Sequence, residues 1–174
     1  QANNNLNELG KFSIHELISK FKGIGEAKAI TITAAIELGK RQKCAETNKG
    51  HQIKCSKDLF ELVQPILCDL PHEEFWVILL NRSNMPIHKA KISQGGIVGT
   101  VVDVRIILKL ALEKLATGIV VCHNHPSGNL FPSTSDIETT RKVREACETV
   151  DITFLDHLII SGNKYYSFAD EGAL

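Results

Sequence analysis

The sequence lacks any stretch able to cross a membrane as a helix. Its longest unbroken apolar run, Phe75 to Leu80, has six residues, against the ~20 that a spanning helix needs. No basic-then-apolar leader is visible, so nothing marks secretion. A disulfide framework is equally absent. The five cysteines (Cys44, Cys55, Cys68, Cys122 and Cys147) are odd in number and include no CxxC pair, a pattern expected of a reducing compartment. Neither sign of charge dominates, because 20 basic side chains balance 20 acidic ones. Low complexity is confined to the Asn-rich opening (Asn3, Asn4, Asn5, Asn7), and there is no internal repeat. These absences predict a cytoplasmic chain without membrane attachment. The opening on Gln1 rather than Met suggests a fragment or a processed product.

What is present suits a folded domain. The 174 residues are 43% apolar and 23% charged, which excludes global disorder and allows one or two domains with a real core. The balanced charge is unevenly spread. Residues 1–50 carry eight Lys/Arg and five Asp/Glu, whereas residues 51–174 carry 12 and 15. The excess at the N-terminal end is a weak pointer to nucleic acid there.

The first fifty residues read as helical. Ser13-Ile-His-Glu16 has capping-box form and starts a short helix running to about Phe21. Gly23-Ile24-Gly25 breaks it, and a longer helix follows to about Lys43. Residues 44–56 are polar and turn-like, the best linker, with Ser56 as the cap of a helix over 57–67 that stops near Leu70-Pro71. Beyond Pro71 the texture changes. Phe75 to Leu80 reads as a buried strand, and Ile87 to Gln94 alternates as its neighbour across a turn at Arg82 to Pro86. A helix over 103–116 precedes a short buried strand, Gly118 to Cys122, that runs into His123-Asn-His-Pro-Ser-Gly128. A helix at 134–149, a strand at 152–160 and a last strand near Tyr165 to Phe168 complete the pattern. The fold class is α/β (α+β), a mixed sheet sandwiched by helices. A helical module at 1–48 precedes a larger domain at 52–174.

His123 and His125 stand two residues apart just after a strand, and extended backbone points both rings to one side. Asp136 follows in the first turn of a helix. Two imidazoles and a carboxylate suit a divalent transition metal, above all zinc. Three protein ligands leave a fourth tetrahedral position for water, whose pKa would fall to about 7. A plainer reading exists: Ser133-Thr-Ser-Asp136 is also a capping box, and the histidines could be hydrogen-bonded loop residues. The combination is hard to obtain by packing alone, and the capping and ligand roles are compatible.

His123-x-His125, seven residues, Ser133, two residues and Asp136 resemble the pattern of the JAMM (JAB/MPN) metalloprotease-like superfamily. HNHPSG, Pro132-Ser-x-x-Asp136, Leu155-Asp-His157 and Ser167-Phe168 are similar to the RadC family within it, and the likeness covers residues 11–174. The resemblance implies zinc on His123, His125 and Asp136, with Ser133 helping to hold an oxyanion. It also implies a general-base Glu on an earlier strand. Glu73 and Glu74 point to opposite faces there; RadC-like sequences carry the Glu two residues before the Phe, which selects Glu73. The chemistry so implied is zinc-dependent hydrolysis of an amide bond in a peptide or protein substrate, peptide or isopeptide, with a historical family link to DNA repair.

Other residues invite less. His157 is either a residue orienting a metal ligand or a satisfied strand histidine. Cys122 points away from the histidines; His15, His51, His72 and His88 read as surface residues, as do Arg141, Lys142 and Arg144. Phe21-Lys-Gly-Ile-Gly25-Glu-Ala-Lys-Ala29 resembles the hairpin of a helix-hairpin-helix element. There Gly23, Gly25, Lys22 and Lys28 would grip DNA phosphates weakly and without sequence preference; a plain interhelical turn is the alternative. The competing function is therefore a DNA-binding repair accessory protein with a structural or vestigial metal site. The complete set Glu73, His123, His125, Ser133 and Asp136 favours the enzyme. Nothing in the sequence sets the oligomeric state.

Overall fold

Alternation along Phe75 to Leu80 decides the architecture, because both faces of this strand are covered. Phe75, Val77 and Leu79 pack into one core cluster, and Trp76, Ile78 and Leu80 into another. The computed structural model describes residues 9–47, 52–95 and 102–174. Among them are five helices, α1 (Ile14–Lys20), α2 (Glu26–Thr47), α3 (Ser56–Leu67), α4 (Val104–Glu113) and α5 (Thr134–Thr149). Five strands accompany them: β1 (Glu74–Leu80), β2 (Pro86–Gln94), β3 (Gly118–Asn124), β4 (Thr153–Ser161) and β5 (Lys164–Ser167). No described helix is long and apolar enough to cross a membrane. The Asn-rich opening, His51 and the segment 48–51 lie outside the described residues.

The chain divides into two compact units, 1–47 and 48–174. In the first, Ser13 and Glu16 form the capping box of α1, Leu17 and Ala29 are buried, and Phe12 meets Phe21 edge-on at 5.6 Å. α2 continues to Thr47, so residues 44–47, expected in the linker, are helical.

In the second unit the sheet order is β2-β1-β3-β4-β5. Only β3 and β4 run parallel, joined through α5 as a parallel pair requires a crossover. β3 lies at the centre, with all seven residues buried. α3 covers one face through Leu59, Leu62, Val63 and Leu67. α4 and α5 cover the other through Ile107, Ala111, Val143 and Cys147. The result is a mixed sheet between helices, as the sequence predicts.

Ser56 does not cap α3. Cys55 takes the N-cap position, and the Asp58 carboxylate accepts from the Lys54 and Cys55 N–H groups at 2.8 and 3.2 Å. Ser56 is instead the first helical residue, and its hydroxyl donates to Asp170.

The C-terminal segment is tied to β4 by Asp156. Its carboxylate accepts from the Ser167 hydroxyl (2.6 Å), the Ala169 N–H (3.0 Å) and the His157 N–H (2.7 Å). Burial, only partly offset by these bonds, lifts its carboxyl above the ordinary value. Asp156→Ala leaves these donors, two of them on the buried residues His157 and Ser167, without this acceptor. A loss of about 2–3 kcal/mol is expected, read from urea unfolding followed by the fluorescence of Trp76, the one tryptophan. An unchanged midpoint would show that the tie contributes nothing.

Candidate metal centre

His123 belongs to β3 itself and is fully buried, one residue past the end of the strand read from sequence at Cys122. The extended path continues one step further, because the His125 N–H bonds to the Ile160 carbonyl of β4 at 2.9 Å. Both imidazoles therefore project to one side, with His123 Nε2 and His125 Nε2 2.9 Å apart. The N-terminus of α5 delivers the third group. Ser133 caps the helix, and its backbone N–H and hydroxyl both donate to Asp136 Oδ2 at 2.7 Å, while the Asp136 N–H donates to Ser133 Oγ at 3.2 Å. So fixed, Asp136 Oδ1 lies 3.2 Å from His123 Nε2 and Oδ2 lies 3.6 Å from His125 Nε2.

These three residues are the one group among the described residues whose ligand atoms all lie within 4.8 Å of one another. The centre is closed behind His123 and open in front, where His125 and Asp136 keep 14% of their side-chain surface exposed. Burial opposes the charge on Asp136, but the neighbouring His123 and His125 rings and the Ser133 donor outweigh it and hold the carboxyl well below the usual range. The same contact with Asp136 raises His125 above the ordinary imidazole value, against the effect of burial. His157 is pushed the other way, well down, by its complete burial.

The donor set fits a divalent transition metal. His125 Nδ1 lies 2.7 Å from the Asn129 carbonyl. A carbonyl only accepts, so in the neutral ring Nδ1 carries the proton and the Nε2 lone pair faces the cluster. The carboxylate likewise presents only lone pairs. Such a set of nitrogen and oxygen ligands with one open side suits zinc or a metal of similar preference.

The two candidate bases are separated by the sheet. β1 and β3 pair antiparallel with Phe75 opposite His123, and continuing that register puts Glu73 opposite His125. By alternation Glu73 shares the face of Phe75, and its charge acts on His125. Glu74 turns to the other face and is buried. There it accepts from Trp76 Nε1 (2.8 Å) and Lys91 Nζ (3.1 Å) and meets His72 Nε2 at 3.0 Å. His72, read from sequence as a surface residue, is thus a half-buried partner of Glu74. Burial opposes the Glu74 charge, but the bonds from His72, Trp76 and Lys91 outweigh it and lower its carboxyl.

Several residues that hold the centre escaped the sequence reading. Asn124, between the histidines, accepts from the Glu74 N–H and donates to the His72 carbonyl, both at 2.8 Å. It thereby clamps the backbone on either side of Glu73. Thr140 bonds to His157 Nδ1 at 2.6 Å, and His157 Nε2 lies 2.8 Å from His123 Nδ1. The four-residue spacing from Asp136 to Thr140 on one helix face was the available signal. Cys122 faces the α3 side of the sheet, fully buried, away from the histidines.

The N-terminal hairpin is a separate feature. Gly23 turns the chain with φ +88°, and Lys28 Nζ donates to its carbonyl at 3.0 Å. Gly25 has no such dihedral requirement, and a Cβ at either glycine would meet no atom within 4 Å. Lys22 is exposed.

Fold and donor set together define a mixed α/β domain with a potential divalent-metal centre. A family model described as RadC-like JAB domain matches residues 53–173. A UPF0758 protein of Flavobacterium johnsoniae is 58% identical over 168 residues, 97% of this chain and 73% of its own length. A UPF0758 protein of Porphyromonas gingivalis is 43% identical over 175 residues, 100% of this chain and 77% of that one. A UPF0758 protein of Streptococcus sanguinis is 40% identical over 166 residues, 95% and 73% of the two chains. The chain belongs to the RadC-like JAB-domain family.

Asp136→Ala removes a candidate ligand and half of a capping box. It should abolish metal binding and cost about 1 kcal/mol of stability. His123→Ala should also abolish binding but with the larger loss of stability, since its ring is fully buried. Metal analysis after gel filtration, paired with thermal melts, checks both. Undiminished metal in either variant would contradict the ligand assignment.

Proposed function

We propose that the chain is a zinc-dependent metallohydrolase that cleaves amide bonds, peptide or isopeptide, in a protein or peptide substrate in the cytoplasm. The observation that carries the reading is the pairing of Phe75 with His123, whose register, carried two residues further, would bring Glu73 to His125 beside a three-ligand set open on one side. Zinc held by His123, His125 and Asp136 would bring the pKa of a water toward neutrality and polarise a carbonyl. As general base, Glu73 would take a proton from the attacking water and return it to the leaving amine nitrogen as the C–N bond breaks. Ser133 offers its hydroxyl to the carbonyl oxygen as charge builds there; in the free protein the hydroxyl rests on Asp136 Oδ2. The Asn124 clamp keeps Glu73 from drifting relative to β3.

Zinc-loaded protein incubated with a peptide library, read by mass spectrometry, should release new termini. Glu73→Gln should lower that rate by about 10²–10⁴-fold, the usual worth of a general base, and keep its zinc. Cleavage at the wild-type rate by Glu73→Gln, or the same loss from Glu74→Gln alone, would overturn the assignment.

A second activity, consistent with a role in DNA repair, is favoured by Gly25. Among the described residues no packing or dihedral demand accounts for a glycine there, and a glycine would allow close approach of a phosphate backbone. Lys22 and Lys28 would neutralise phosphate charge beside Gly23 and Gly25. Gel-shift titration should give weak binding, Kd in the range of about 10⁻⁴–10⁻⁶ M, steeply weakened by salt and lost in Lys22→Glu/Lys28→Glu. Equal retention of the double variant, or no retention of wild type at low salt, would leave the turn a connector.

A further inference from the structure

We propose that Thr140 and His157 are positioning residues that fix His123 in the tautomer able to hold a metal. The proposal rests on the reading of His123 as a ligand and follows from the direction of a buried hydrogen-bond chain.

The chain begins at a group that can only accept. Thr140 Oγ1 lies 2.6 Å from the Asp136 carbonyl oxygen, and two oxygens at that distance need a proton between them. The Thr140 hydroxyl proton is therefore committed to Asp136. Its lone pair faces His157 Nδ1 at 2.6 Å, so His157 Nδ1 must be the donor there. The His157 ring is wholly buried and bonds to a hydroxyl and an imidazole, neither of them an anion. Burying an imidazolium under those conditions is costly, so the ring is neutral with its single proton on Nδ1. Its Nε2 is then a bare acceptor, and His123 Nδ1, 2.8 Å away, donates to it. The proton of the neutral His123 ring is thus on Nδ1, and its Nε2 lone pair faces His125 Nε2 and Asp136 Oδ1.

The rings are held against turning over. Phe168 stacks on His157 with centroids 4.8 Å apart and planes 7° apart, and Phe75 lies nearly parallel to His123 at 5.9 Å. Asp136 stands at both ends of the circuit. Its carbonyl orients Thr140, and its carboxylate lies 3.2 and 3.6 Å from the Nε2 atoms of His123 and His125.

Thr140→Val keeps the shape and removes the hydroxyl; Thr140→Ser restores it. Two readouts apply: competition for Zn²⁺ with a chromophoric chelator, and imidazole ¹⁵N NMR of metal-free protein at about pH 9, above the ordinary imidazole value. Wild type should show His123 and His157 protonated at Nδ1. In Thr140→Val the His157 proton has no acceptor at Nδ1 and moves to Nε2, which turns a donor on His123 Nδ1 and shifts the His123 proton to Nε2. Zinc affinity should fall about 10–100-fold, as for other residues that orient a ligand, and return in Thr140→Ser. Wild-type affinity in Thr140→Val, no recovery in Thr140→Ser, or Nε2 protonation of His123 in wild type would overturn the proposal. If wild type takes up no zinc the metal reading fails, and the wild-type tautomers still decide the relay. They decide it equally if Thr140→Val does not fold, as judged by Trp76 fluorescence.

Discussion

The pairing of Phe75 with His123 across β1 and β3 is the constraint on which the rest of the centre depends. It sets which face of the sheet each carboxylate of the Glu73–Glu74 pair can reach, because a slip of one residue would exchange them. It brings the Phe75 ring parallel to His123 and the Glu74 N–H onto the Asn124 side chain. Asn124 also takes the His72 carbonyl, and the Glu73 carbonyl accepts from Gly95 at 2.9 Å. The backbone around Glu73 is therefore held on both sides. On the other face, Glu74 with Trp76 and Lys91 resists the exchange, since moving its buried charge would strand those donors.

Against this fixed end of the sheet, α5 brings Asp136 with little freedom. The capping box ties the carboxylate to the first turn of the helix, and a positive helix end favours its charge. Further along, Val143 and Cys147 anchor the same helix to the core. The two histidines sit on β3 and beside β4, and the carboxylate comes from the crossover between them. Parallel pairing of β3 and β4 thus converges all three at one end of the sheet. Open-sided and backed by buried rings, the site has the asymmetry that ligand exchange requires.

The sequence made the strand order of chemistry legible but not its surroundings. Alternation in Phe75 to Leu80 and the cap at Ser133 were enough to place β1 and α5, because both signals are local. His123 was placed just after the strand, whose buried run was read as ending at Cys122. What keeps it in the strand is pairing with Phe75 and Ile159, which no local pattern records. Ser56 was read as the cap of α3, yet Cys55 takes that position, the Asp58 carboxylate supplies the bonds and Ser56 is drawn to Asp170. His157 stayed ambiguous because its partners, Thr140 and His123, are 17 and 34 residues away. The segments Leu155-Asp-His157 and Ser167-Phe168 now have a physical reason to occur together: Asp156 binds Ser167, and Phe168 stacks on His157.

Membership of the RadC-like JAB-domain family joins this arrangement to a wider group of chains, and the central claim is that His123, His125 and Asp136 together hold a zinc ion. X-ray absorption at the zinc edge of the loaded protein tests it directly. The account predicts a nearest shell of nitrogen and oxygen at about 2.0–2.2 Å, with imidazole back-scattering and no sulfur. A sulfur shell at about 2.3 Å, the Zn–thiolate distance, would contradict it, since the nearby thiol of Cys122 lies on the opposite face of the sheet.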